Sequence, residues 1–203
     1  MWRHHPQADR LVSLVREGAI GDLRLVRAAF SFSLGGFPNV RWDADLDGGA
    51  LLDVGCYCVS GARLLADAEP ERVSGEAAFA ESGVDARFAG TLRFAGDVLA
   101  TFDCGFDMPA RDELEVIGSD GSLFLDDPWH SLEPRIELRG TGGSVELVEV
   151  ERANPYRLEF EDVSAAIRGE REPRLGRADA VGQARALEAL LRSAAEGRPV
   201  TLA

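Results

Sequence analysis

With 203 residues, 45% of them apolar, the chain has the material for one large domain or two small ones built around a buried core. Its formal charge is −13, from 35 acidic residues against 22 cations, and a surface of that sign repels phosphate backbones and anionic lipids, so neither nucleic acid nor a membrane is an expected partner. All the cations are arginine, with no lysine anywhere.

Met1-Trp-Arg-His-His-Pro6 reads as the end of a strand, and Pro6 suits the first turn of a helix whose stripe Leu11, Leu14 and Val15 stops at Gly18 and Gly21. The run resembles the last βα unit of a larger fold, which would put Arg3, His4 and His5 at a strand's C-terminal end, facing a ligand or simply solvated. From Asp22 the period changes to two: Val26, Ala28, Phe30 and Phe32 alternate with Arg27, Ala29, Ser31 and Ser33 as in a half-buried strand. The loop from Gly35 to Asp43 then offers Asn39, Arg41 and Trp42, polar and aromatic groups able to bind a hydroxylated ligand or to pin a surface loop.

The stretch from Asp47 to Val59 is where the chain's chemistry gathers. A helix beginning near Ala50 sets Asp53 and Tyr57 one turn apart on one face, while Leu51, Leu52, Val54, Cys56, Val59, Leu64 and Leu65 cover nearly the whole circumference. A carboxylate in such a helix is costly unless it is paired or belongs to a site. In a functional reading Tyr57 moves a proton to or from a carbonyl or alcohol, and Asp53 shapes its field. In a structural reading Asp53 complements the helix dipole and Tyr57 is half-buried core. Spacing alone leaves both open.

Strands are expected at Arg72–Ala80, Ala86–Ala95 and Val98–Phe106, with Gly96-Asp97 as a two-residue hairpin loop and Val98, Ala100, Phe102, Cys104 and Phe106 on one face. Shorter strands fit Glu113–Ile117, Ser122–Leu125, Arg135–Arg139 and Val145–Val150. Tyr156, Phe160, Val163 and Ile167 recur at helical spacing. A last helix, capped by Asp179, is expected to turn Val181, Ala184, Leu187, Leu191 and Ala194 inward before Gly197 and Pro199 end it. Strands grouped before helices predict an α+β domain. No glycine cluster has the strand, Gly-x-Gly-x-x-Gly, helix order that seats a pyrophosphate. Cys56, Cys58 and Cys104 form neither a disulfide framework nor, with the histidines, a metal-ligand spacing, so no metal is expected. With no basic-then-apolar signal pattern and no run approaching the roughly 18 to 20 apolar residues of a membrane span, a cytoplasmic location is expected.

Arg3-x-His5-Pro6-Gln7, Gly18-x-x-Gly21, Asn39-x-Arg41-Trp42, Gly48-Gly-x-x-x-Asp53-x-Gly-x-Tyr57 and the closing Glu188-Ala-Leu and Gly197-Arg-Pro-Val200 together resemble the Gfo/Idh/MocA oxidoreductases. The resemblance is strongest to the dihydrodiol and D-xylose dehydrogenase branch. It implies a predominantly antiparallel open sheet with helices packed on one face, preceded by a strand-helix remnant of a Rossmann domain. Residues 1–21 would be that remnant, and residues 22–203 the substrate and oligomerisation domain. It also implies Tyr57 as acid/base with Asp53 as companion, Asn39, Arg41 and Trp42 toward substrate, and Arg3 and His5 toward cofactor. NAD or NADP would serve the complete enzyme, acting on a sugar, polyol or dihydrodiol-like alcohol.

That family relies on a lysine of a Glu-Lys-Pro motif in its Rossmann domain, where its charge lowers the tyrosine pKa. Lacking lysine and a phosphate loop, the chain resembles the substrate half alone, and tight cofactor binding and turnover are not expected of it by itself. A missing Rossmann domain or partner chain would complete it. Asp47 stands where many relatives have a third glycine. An open, apolar sheet face is expected to form a homodimer. The alternative is a non-catalytic module that dimerises or binds a small polyol.

Overall fold

Nine strands form one open sheet in the order β8-β7-β6-β5-β1-β4-β3-β2-β9, in a computed structural model that describes residues 1–36 and 38–202. The strands are β1 (Leu23–Ser33), β2 (Arg72–Phe79), β3 (Asp85–Arg93), β4 (Leu99–Gly105), β5 (Asp107–Gly118), β6 (Gly121–Leu125), β7 (Arg135–Gly140), β8 (Val145–Glu149) and β9 (Val200–Thr201). Neighbours are antiparallel except at the centre, where β1 runs parallel to β4. A parallel pair needs a long crossover. Here the crossover carries the site: it leaves β1, passes through the Asn39–Trp42 loop and the central helix, and returns through β2 and β3.

The two-residue period decides which face is covered. Val26, Ala28 and Phe30 of β1, Ala100, Phe102 and Cys104 of β4, and Leu114 and Val116 of β5 are all buried in one core. Helices α1 (Pro6–Arg16), α2 (Cys56–Ala66) and α4 (Arg177–Glu196) contribute to the same core, whereas α3 (Pro155–Ile167) packs outside them against the N-terminal turn. Leu11, Val59 and Leu190 have no exposed surface.

Several expectations are corrected. Trp2–His4 form a 3₁₀ turn in place of a strand end; Trp2 is buried edge-on against Trp129 at 5.1 Å, and the segment pairs with no strand of the sheet. The hairpin loop is a three-residue turn over Ala95–Asp97, closed by Phe94 N donating to Val98 O at 2.9 Å. β5 begins at Asp107, six residues before the apolar alternation expected from Glu113, because β1 supplies a ladder that reaches Asp107. Val200–Thr201 add an edge strand on β2. Residues 44–66 have the length and mean hydropathy of a membrane span, but 61% of the window is buried inside the molecule, as suits a core element.

The two late helices turn differently from their apolar periodicity. On α3, Tyr156, Phe160, Val163 and Ile167 are exposed, at 54%, 71%, 46% and 80%. On α4 the buried residues are Ala186, Ala189, Leu190 and Ser193, with Leu187 and Ala194 at the margin of the core and Val181 and Leu191 exposed. Small residues let α4 descend onto β2, where a Cβ on Gly75 would stand 3.0 Å from Leu190 O. At that range Ser193 Oγ accepts from Gly75 N at 3.1 Å and donates to Arg198 O at 2.7 Å.

Candidate functional site

The helix expected from Ala50 begins as a π-helical turn over Leu51–Gly55 and becomes α-helical at Cys56. Neither Ala50 nor Gly55 supplies a side-chain cap. Asp85, at the start of β3 and 4% exposed, does so from across the fold, accepting Leu51 N at 2.7 Å. Burial pushes the Asp85 carboxyl up, and the backbone N–H groups of Leu51 and Ala50 pull it partly back. Gly49 makes room for this cap: its φ is +123°, and a Cβ there would lie 2.1 Å from Asp85 Oδ1. Asp47 adopts a left-handed φ of 54°, a conformation that glycine takes without strain.

Asp53 and Tyr57 line one cavity of about 700 Å³, together with Phe30, Arg41, Asp112 and His130. Asp53 is held by Arg41, whose Nε donates to Oδ2 at 2.7 Å. Arg41 N in turn donates to Asn39 Oδ1 at 3.0 Å, and Gly49 N donates to Arg41 O at 3.0 Å. The loop is thereby fastened to the entrance of the central helix. Tyr57 packs edge-on against Phe30, ring centroids 5.4 Å apart, and at a tilt against Trp129 at 6.1 Å. Burial, then the nearby Cys56, Tyr156 and Asp53, push its phenol above the ordinary value. No partner within hydrogen-bond reach of its hydroxyl occurs among the described residues. Cys56, one residue earlier, is pushed up to about 11 chiefly by burial, which leaves an inert thiol.

Of the other expected site residues, Asn39 caps the Val40–Trp42 turn, and Trp42 packs edge-on against Phe106 while donating to Gly35 O at 3.0 Å. Neither lines the cavity. Arg3 and His5 lie apart from it as well. Arg3 pairs with Asp179 of α4 at 2.8 Å. His5 is fully buried and caps α1, its Nδ1 3.0 Å from Gln7 N and its Nε2 3.2 Å from Ala153 N.

Sequence reasoning passed over Asp112, His130 and Asp85. The first two come together because the turn Asp126-Asp-Pro-Trp-His130 between β6 and β7 folds onto β5, with Asp112 Oδ2 2.6 Å from His130 Nδ1. The Asp-Asp-Pro-Trp-His run was the available signal, a turn former beside titratable groups. Asp85 had none, since its partner lies 34 residues away.

A nicotinamide cofactor would need a seat for its pyrophosphate, usually a free helix N-terminus. The starts of α1 and α3 are capped by His5 and Asn154, the central helix by Asp85, and α4 has Asp179 in its first turn. The described residues do not fit a pyrophosphate.

A nine-stranded open sheet with helices on one face, and a tyrosine in a polar cavity beside an Arg-Asp pair, define an α+β domain with a candidate ligand site. Residues 9–124 match the GFO/IDH/MocA C-terminal domain, and the chain belongs to that family. It is 33% identical to D-xylose 1-dehydrogenase (NADP(+)) 2 of Haloferax volcanii, over all of this chain and 63% of that protein. It is also 33% identical to trans-1,2-dihydrobenzene-1,2-diol dehydrogenase of Mus musculus, over 64% of this chain and 39% of that one. Its fold superposes on the aldose-aldose oxidoreductase from Caulobacter crescentus complexed with glycerol at a TM-score of 0.91 and 26% identity, covering 99% of this chain and 62% of that one. The chain thus spans less than two thirds of the length of these relatives.

Proposed function

We propose that this chain is the substrate-binding half of an NAD(P)-dependent oxidoreductase acting on the CH–OH group of a sugar, polyol or diol, with Tyr57 exchanging the proton. The observation behind this is the Tyr57 hydroxyl, without a hydrogen-bond partner among the described residues, in a cavity of about 700 Å³ that the Arg41–Asp53 pair also lines. The names of the relatives, a D-xylose and a dihydrobenzenediol dehydrogenase, supply the substrate class. Asn39 and Trp42 act on substrate through Arg41 and the loop they shape. Arg3 and His5 fasten the start of α1 in this reading, and are not carried forward as cofactor contacts.

The proton step depends on a cation this chain lacks. Tyr57 holds its proton more tightly than a free phenol, and no lysine is available to reverse that. We therefore assign the cofactor and the lysine to a nucleotide-binding domain, and residues 1–21 to the last unit of that domain. The exposed stripe Tyr156, Phe160, Val163 and Ile167 is the surface on which we seat that domain, since Tyr156 also lines the cavity. Three free thiols support a reducing, cytoplasmic location. A homodimer through the uncovered sheet face completes the proposal.

The test is Tyr57→Phe in the chain joined to a nucleotide-binding domain from a relative. Turnover should fall roughly 10²- to 10⁴-fold, the range of general acid–base catalysis, with little change in melting temperature. A variant that keeps near-normal turnover but melts lower would favour the alternative, a non-catalytic polyol-binding or dimerising module. The raised phenol pKa is what speaks for that second reading.

A further inference from the structure

The same cavity holds a second polar pair that the proposed chemistry does not use. His130 lines the cavity with its side chain 48% exposed, and Asp112, at 19%, lies 2.6 Å from its Nδ1. Asp112 is itself anchored, its other oxygen accepting Trp129 N at 3.2 Å. A carboxylate only accepts, so His130 Nδ1 donates to Asp112; that bond raises the His130 pKa, and above the titration the neutral imidazole presents a lone pair at Nε2. Nε2 has no hydrogen-bond partner among the described residues. His130 also meets Phe30 edge-on at 5.5 Å, as Tyr57 does at 5.4 Å, so one phenyl ring spaces the two groups.

The remaining charges of the cavity are already satisfied. Arg41 pairs with Asp53, Arg111 with Asp103 and Asp126 with Arg135. The Asp127 carboxylate accepts the backbone N–H groups of Ser131, Leu132 and Glu133. The ligand atoms of Asp112, Asp127 and His130 lie within 4.8 Å of one another, but turn-forming N–H donors occupy the Asp127 oxygens, which argues against a cation there. With no unpaired arginine, the cavity suits a neutral, polyhydroxylated ligand better than an anion.

We infer that His130, oriented by Asp112, is a specificity-determining residue that accepts a hydrogen bond at Nε2 from a second hydroxyl of the substrate while Tyr57 addresses the reacting oxygen. The inference rests on the reading of this cavity as a sugar or diol site. The two can be tested apart by NMR on the labelled 203-residue chain with D-xylose as probe, following the His130 ring nitrogens and the Tyr57 ring together. Above the His130 titration, Nε2 should be the unprotonated nitrogen, and D-xylose should shift both rings. Asp112→Asn, which removes the carboxylate holding the tautomer, should weaken D-xylose about 3- to 10-fold, the worth of one hydrogen bond. His130→Phe should do the same, and His130→Gln, which keeps an acceptor, should restore part of it. A Tyr57 response without a His130 response would overturn this inference and leave the proposed function standing. No response from either ring at any attainable concentration would overturn both. Micromolar Zn²⁺ broadening the His130 signals in place of a sugar response would also overturn it, in favour of a metal cluster.

Discussion

His5 illustrates how burial assigns a residue its role. A neutral imidazole has one lone pair, yet both His5 nitrogens face backbone N–H donors, of Gln7 and Ala153. A protonated ring could accept from neither, and burial, the largest influence on it, holds its pKa below the ordinary value. A group with a lowered folded pKa stabilises the fold above its unfolded value, about 6.5 for histidine, and that stability is lost as pH falls through the folded value. His5→Asn retains a capping oxygen for Gln7 N. The difference in melting temperature between wild type and this variant should therefore be flat above about pH 6.5 and narrow as the pH falls below it. His130 has the opposite sign: the hydrogen bond to Asp112 raises its pKa, so its contribution is present in acid and lost as pH rises through the folded value. A difference curve that is level through the acid limb would refute the capping role of His5. The sequence flagged Tyr57, Asp53 and Arg41, which the fold does bring into one cavity, because they lie within 17 residues in a single crossover. It could not flag Asp112 or His130, whose meeting depends on how a distant turn folds onto β5.

At the scale of elements, the central helix depends on what precedes it and on a strand it does not touch in sequence. Its π-helical first turn is capped by Asp85, and Gly49 is the residue that allows the carboxylate to approach. Gly49→Ala strains a φ of +123° and drives a methyl into Asp85, at a cost of order 1–3 kcal/mol. Asp85→Ala loses the cap itself, worth about 0.5–2 kcal/mol, and relieves that clash. Combined, the two should cost less than their sum, because they disturb one contact. Urea unfolding of both singles and the double checks this; strict additivity would mean that the two residues act separately. Local pattern made the helix legible, since apolar residues surround it, but a π turn and a cap from β3 have no local signature. The outward stripe of α3 misled in a related way: helical spacing marks a face as apolar without saying which neighbour covers it.

For the molecule as a whole, the same limit applies to the sheet. Period-two alternation correctly separates Ala100, Phe102 and Cys104 from Leu99, Thr101 and Asp103, but the apolar set is consumed by the helix layer. The uncovered face, expected to be apolar, is instead ionic at its centre. Arg27 reaches Glu115 at 3.2 Å, Arg139 reaches Glu115 at 3.6 Å and Glu137 at 2.6 Å, and Arg111 pairs with Asp103. A shallow concavity of about 640 Å³ runs along this ladder. If this face forms the proposed homodimer, the contact is made by charge complementarity more than by apolar burial, and its strength must follow ionic screening. The Debye length contracts from about 8 Å at physiological salt to about 3 Å at 1 M, so a dimer held by such pairs should dissociate as salt rises, whereas an apolar interface would tighten. Arg27→Glu sets like charges beside Glu115 and should give a monomer at low salt. Because pairs of this exposure contribute only about 0–1 kcal/mol to folding, the variant should melt close to wild type. Light scattering of both proteins across a salt series decides the matter. A chain that is monomeric at every salt, or a dimer indifferent both to salt and to Arg27→Glu, would mean that this face is solvated and that assembly, if it occurs, uses another surface.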